Sequence, residues 1–163
     1  METEKKGCVL AVRVRGSAGL RHQFESTLKQ MGLTRRNQAM LFSDTPAIRG
    51  TLARLKDTLF WGEVTEEQLT LLFTSRSRQS KSKRLTDEDV KKRLKIENIQ
   101  ALAKRLSAGE LNPAELKKRG LSIRFNLHSP KGGFRGSLKD SRGKGGELGF
   151  RTEYFRETLK RMI

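Results

Sequence analysis

From Leu127 to Phe150 the chain reads L-H-S-P-K-G-G-F-R-G-S-L-K-D-S-R-G-K-G-G-E-L-G-F. That stretch holds seven glycines, five Lys or Arg residues, two acids and few apolar side chains. Such a segment has too little apolar surface to offset the entropy lost on ordering, so it is expected to build no packed core. Glycine lets backbone N–H groups approach a phosphate, and spaced cations add charge. A solvated linker is the other reading. A linker usually joins two domains, however, and only residues 151–163 follow. Contact with a phosphate-rich polymer is therefore preferred. The candidates are Lys131, Gly132, Gly133, Arg135, Lys139, Arg142 and Lys144. Phe134 either stacks on an unpaired base or tethers the loop to its own domain.

Charge elsewhere agrees. The 163 residues carry 35 Lys or Arg against 18 Asp or Glu, a formal net charge of +17. Residues 1–74 hold 11 basic and 8 acidic residues, whereas residues 75–163 hold 24 and 10. An excess placed so unevenly points to a polyanionic partner for the second half. Ser75 to Arg84 has no apolar residue and carries Arg76, Arg78, Lys81, Lys83 and Arg84 with no acid between them. Five such cations repel one another unless countercharge is supplied, so they are candidates for RNA backbone contact. Arg13, Arg15, Arg35 and Arg36 fall at or near element ends and could join the same face.

Several function classes drop out. Cys8 is the only cysteine, which excludes an internal disulfide and a cysteine zinc cluster. His22 and His128 have no second ligand at metal spacing. Asp87, Glu88 and Asp89 sit in the first turn of an expected helix, where they serve its dipole rather than acid–base chemistry. No G-x-x-x-x-G-K-[ST] loop is present. Gly133-Phe134-Arg135-Gly136 matches G-x-x-G, but a strand precedes it and more loop follows, unlike the helix–loop–helix setting of KH domains. No enzyme, cofactor or metal site is expected. With no secretory signal or membrane span, the expectation is a soluble, intracellular protein.

Hydrophobic periodicity sets the elements. Cys8 to Val14 is apolar and β-branched, a buried strand. Leu20, Phe24, Leu28 and Met31 form one helical face, with Ser17 able to cap its start and Gly32 its end. Ala39 to Phe42 reads as a strand. Thr45-Pro46 opens a helix bearing Ile48, Leu52 and Leu55. A third strand spans Phe60 to Val64, with Trp61 in the core. Thr65 and Gln68 form a capping box for a short helix through Phe73. Short helices follow near Thr86, over Ile99 to Leu106, and from Asn112-Pro113 to Gly120. Leu121 to Leu127 alternates as a half-buried strand. A helix from Thr152 buries Phe155, Leu159 and Met162. The order predicts an α+β chain: a β-α-β-α-β core over 1–66, a basic helical insertion over 67–120, and a strand, basic glycine-rich loop and helix over 121–163.

Within this pattern, Asp44-Thr45-Pro46-Ala47-Ile48-Arg49-Gly50 closely resembles the signature of the large-subunit ribosomal protein thirty family, whose eukaryotic branch is called large-subunit protein seven. Met31 to Gln38 (M-G-L-T-R-R-N-Q) and Val12 to Gly16 (V-R-V-R-G) are similar to the same family. Leu127 to Gly133 resembles the L-x-S-P-[RK]-G-G of its longer members, and Leu159 to Met162 their C-terminus. The length resembles the archaeal long form. The resemblance implies a small antiparallel sheet similar to a ferredoxin-like fold, a place on the ribosome in the cytoplasm, and large-subunit ribosomal RNA and neighbouring ribosomal proteins as partners. By the same resemblance Arg49 is an RNA contact, with a structural salt bridge as the alternative. The expected function is a structural constituent of the large subunit; the alternative is a free-standing RNA chaperone or regulator.

Overall fold

Strand β1 (Cys8–Arg13) is buried along its whole length, and this fixes its place at the centre of the sheet. The computed structural model describes residues 7–78, 83–141, 144–151 and 153–163. On either side of β1, antiparallel, lie β2 (Gln38–Ser43) and β3 (Leu59–Glu63), with Val12 opposite both Ala39 and Phe60. β4 (Arg124–Asn126) adds antiparallel to β2, and Gln38 faces Asn126. These four strands are the expected antiparallel sheet.

The sheet is larger and mixed. β6 (Gly146–Phe150) runs parallel to β3, and β5 (Ser137–Ser141) lies outside β6, giving the order β4-β2-β1-β3-β6-β5. The glycine-rich segment is thus partly a sheet edge, which corrects the expectation that it packs no core. Leu148 is buried, and Gly62 on β3 has no side chain, so the Arg151 N–H reaches the Trp61 carbonyl at 2.8 Å. A Cβ at Gly62 would lie 2.5 Å from the Arg151 carbonyl and 2.8 Å from the Phe155 ring.

Helices cover both faces. α1 (His22–Gln30) and α2 (Pro46–Arg54) lie on the side of Arg13 and Trp61; α3 (Glu66–Arg76), α5 (Ile99–Ser107) and α7 (Glu153–Met162) lie on the side of Cys8 and Phe60. Short α4 (Asp87–Leu94) and α6 (Pro113–Lys118) complete the order. One apolar cluster joins Leu10, Leu52, Leu72, Leu102, Phe125 and Leu159, drawing on every part of the chain.

The local start signals are realised. The Thr45 hydroxyl accepts the Ile48 N–H at 3.3 Å with Pro46 in the first turn, and Thr65 with Gln68 forms a capping box. α1 differs. It begins only at His22, with no side-chain cap, because the Ser17 hydroxyl instead accepts from Arg13 Nη2 at 3.1 Å. α3 runs on to Arg76, past the expected end at Phe73. Only Arg124–Asn126 are laddered as a strand, but Leu121, Ile123, Phe125 and Leu127 are buried in alternation as predicted.

Candidate nucleic-acid interface

Strand direction decides which cations meet. β1 and β4 end, and β2, β3 and β6 begin, at the same edge of the sheet. That edge gathers Arg15, Arg35 and Arg36, the start of the glycine-rich segment, and Lys144 beside Gly146. α3 and α7 both finish there too. Arg76 Nε donates to the Ile163 carbonyl at 2.8 Å, and the His128 N–H donates to the Met162 carbonyl at 3.2 Å. Arg78, just past α3, and Arg84, on the returning chain, form an antiparallel backbone bridge, and the Leu85 N–H reaches the Ser77 carbonyl at 3.3 Å. Lys83 sits beside them, 3.6 Å from Asp89. Lys81 and Arg142 lie outside the described residues.

The loops that carry these cations are held in place. Gln38 is buried, and its Oε1 accepts from the Thr34 and Arg35 N–H groups, both at 2.9 Å, while its Nε2 donates to Asn126 Oδ1 at 3.1 Å. Asn37 takes a left-handed φ of 59°, and its amide donates to the Ser129 hydroxyl at 3.2 Å. Arg35 and Arg36 are thereby presented next to the glycine-rich segment. Arg161 does the same for Lys131. Its Nη1 donates to the Lys131 and Gly133 carbonyls at 3.1 and 3.0 Å, and its own carbonyl accepts the Lys131 N–H at 3.0 Å. Gly132 and Gly133 have φ of +79° and +77°, so the turn favours glycine at both. Sequence reasoning missed Gln38 and Arg161, because their partners lie far along the chain or on backbone carbonyls.

Other predicted residues have structural partners. Arg13 is 1% exposed; it donates to the carbonyls of Arg15, Leu33 and Thr34 and to Ser17 Oγ, at 2.8–3.1 Å. Burial lowers its pKa, and Glu25 opposes that shift. Phe134 packs edge-on against Phe60 with ring centroids 6.5 Å apart, the tether of the two readings. Arg135 pairs with Glu157 at 2.5 Å and lies over the Tyr154 ring. Lys139 is exposed on β5. Arg49 sits at the opposite end of the sheet, bidentate to Asp44. That hydrogen bond raises its pKa.

Asp87, Glu88 and Asp89 all lie in the first turn of α4, as expected of partners to its dipole, and two of them also accept capping hydrogen bonds. Asp89 Oδ2 accepts the Thr86 hydroxyl at 2.7 Å, and Asp87 Oδ1 accepts the Ile99 N–H at 3.0 Å. Cys8 is buried, donates to the Leu106 carbonyl at 3.2 Å, and has its thiol pKa pushed up to about 12 by burial and then by Asp44. It is no nucleophile. No group of three or more metal-ligating side chains gathers among the described residues.

Residues 9–58 match the family described as Ribosomal protein L30p/L7e. Similarity to curated relatives runs much further. The chain is 36% identical over 152 residues to the large ribosomal subunit protein uL30 of Methanosphaera stadtmanae, covering 93% of this chain and 97% of that one. The uL30 of Sulfurisphaera tokodaii is also 36% identical over 152 residues, covering 93% and 96%. That of Hyperthermus butylicus is 36% identical over 159 residues, covering 93% and 88%. The chain belongs to the uL30 family of large ribosomal subunit proteins.

The uL30 match explains the division of labour along the chain. Residues 9–58 run from β1 to the threshold of β3 and include Asp44 and Arg49. The full-length relatives extend the likeness over the basic insertion and the glycine-rich segment, as in the archaeal long form. A uL30 protein belongs to a family of ribosomal proteins and not of enzymes. No described helix is long and apolar enough to cross a membrane.

Proposed function

We propose that this uL30 protein binds and stabilises large-subunit ribosomal RNA with the basic end of its sheet, beside neighbouring ribosomal proteins. The carrying observation is the convergence of Arg15, Arg35, Arg36, Arg78, Lys83, Arg84, Lys131 and Lys144 on loops at that one end. The rigid sheet sets their spacing; Asp89 already lies 3.6 Å from Lys83, and RNA phosphates supply the rest of the countercharge that a net charge of +17 calls for. Arg13 and Arg49 hold the scaffold instead of touching RNA.

The test is the salt dependence of binding to large-subunit RNA. With about eight phosphates neutralised, log affinity against log salt falls with a slope of about −6 to −7. A flat response overturns the reading. Sedimentation separates a fixed constituent, which stays with the large subunit at moderate salt, from a chaperone that exchanges off it.

A further inference from the structure

Between the β1–α1 turn and the last turn of α2 lies a cleft of about 170 Å³ at the basic end of the sheet. Arg15, Arg21, Arg54 and Asp57 line it together with half-buried Leu20 and Phe24. Arg15 is held across it, its Nη1 donating to the Asp57 carbonyl at 3.1 Å. Among the described residues no carboxylate lies within ion-pair distance of Arg21 or Arg54. Phe24, Arg54 and Leu55 also line a larger groove between α1 and α2, so the two depressions share a wall.

We infer that this cleft receives one unpaired nucleotide of the bound RNA. The inference rests on the RNA-binding reading above and adds a recognition element to it. A phosphate alone needs no apolar wall, and an apolar ligand needs no guanidinium groups. A nucleotide needs both: its base lies against Leu20 and Phe24, and the phosphates on either side meet Arg15, Arg21 and Arg54. Asp57 supplies an acceptor for the amino edge of the base. The volume equals that of roughly six waters, the bulk of a single base. Bases in a duplex are stacked and paired, so only an unpaired one enters. The sequence hid the site because Arg21 and Arg54 lie far apart along the chain and meet only through the fold.

The experiment uses the full chain and two RNA hairpins of equal length, one fully paired and one with a single bulged 2-aminopurine. The bulged hairpin binds about tenfold more tightly, within the range for stacking one base on an aromatic side chain, and its fluorescence changes on binding. R21A/R54A, both at exposed positions, reduces that preference to about twofold or less while keeping most of the affinity for the paired hairpin. F24A abolishes the fluorescence change, with circular dichroism confirming that the variant is folded. If F24A unfolds, R21A/R54A decides alone. Equal binding of the two hairpins by the wild type overturns the inference, as does equal weakening of both by R21A/R54A. In either case the general RNA reading stands. Failure to bind either hairpin removes that reading and the inference with it.

Discussion

Arg49 grips Asp44 with both sides of its guanidinium, Nε to Oδ1 and Nη2 to Oδ2, each at 2.5 Å. The pair closes the first turn of α2 onto the end of β2. The partners differ in surroundings: the Arg49 side chain is 54% exposed and that of Asp44 only 9%. Arg49→Ala removes the two-pronged partner of a nearly buried carboxylate and should cost about 1–2 kcal/mol, below the range for a fully buried pair because solvent screens the arginine. Arg49→Lys keeps the charge but loses the fork and should recover about half of that. Urea denaturation measures both. Binding to RNA should be unchanged in each folded variant, and a large loss of affinity with intact stability would return Arg49 to the interface.

Arg13 makes the complementary case at the other end of the sheet. Its guanidinium serves three carbonyls and one hydroxyl inside the protein. Arg13→Met preserves bulk but leaves those acceptors unpaired, for an expected loss of about 2–4 kcal/mol. Arg36→Ala, at an exposed neighbour whose Nε donates to the Val14 carbonyl at 3.1 Å, should cost about 0.5–1 kcal/mol while lowering the RNA salt slope by about one. Thermal melts paired with salt titrations separate the two arginines.

These cases show where the sequence was legible. Signals closed within a few residues came through: Thr45 with Pro46, Thr65 with Gln68, and Asn112 with Pro113 each start the helix they announced. The alternation from Leu121 to Leu127 also gave the buried face correctly. What failed was non-local. In β1, the face of Val9 and Ala11 also carries Arg13, so its burial was readable in principle, but the carbonyls of Leu33 and Thr34 that accept its hydrogen bonds belong to another loop. Glycine content hid β6, because its place depends on Gly62 leaving room across the sheet. The excess of cations was legible as charge alone; that Arg15, Arg35, Arg36, Lys131 and Lys144 share one end of the sheet, and Arg49 does not, follows from strand direction.

Cys8 predicts a pH effect. Its thiol pKa is pushed up to about 12 from an ordinary 9.0, because burial and then the Asp44 charge disfavour the thiolate. The folded state therefore keeps a proton that the unfolded state releases. This contribution is fully present below pH 9 and is lost as the pH rises from about 9 to 12. Cys8→Ala should lessen the fall in stability over that window, measured by urea titration at several pH values. Native protein at pH 8 should also resist alkylation until denatured.

Two glycines should respond to alanine in opposite ways. At Gly62 the new methyl meets the Arg151 carbonyl at 2.5 Å, so β3 and β6 must part and stability should fall by about 1–3 kcal/mol. At Gly50, within α2, nothing lies within 4 Å of the added Cβ. Gly50→Ala should gain about 0.5–1 kcal/mol from helix propensity alone. A melting temperature for Gly62→Ala that is unchanged or raised would refute the packing of β6 on β3.

The glycine-rich segment contains both kinds of charge, and mutation can sort them. Glu147 and Arg151 are ion-paired with side chains only 2% exposed, and Glu147 Oε1 also accepts the Gly136 N–H at 2.8 Å and the Tyr154 hydroxyl at 3.2 Å. The Arg151 guanidinium lies 5.3 Å from the centre of the Phe60 ring. Glu147→Ala leaves that cation buried without its carboxylate and should cost about 3–5 kcal/mol. Lys131 and Lys144 are exposed on the same segment. K131A/K144A should leave the melting temperature nearly unchanged and lower the RNA salt slope by about two. If K131A/K144A instead unfolded the chain, or left the slope untouched, the exposed lysines would not be the part of this segment that meets RNA.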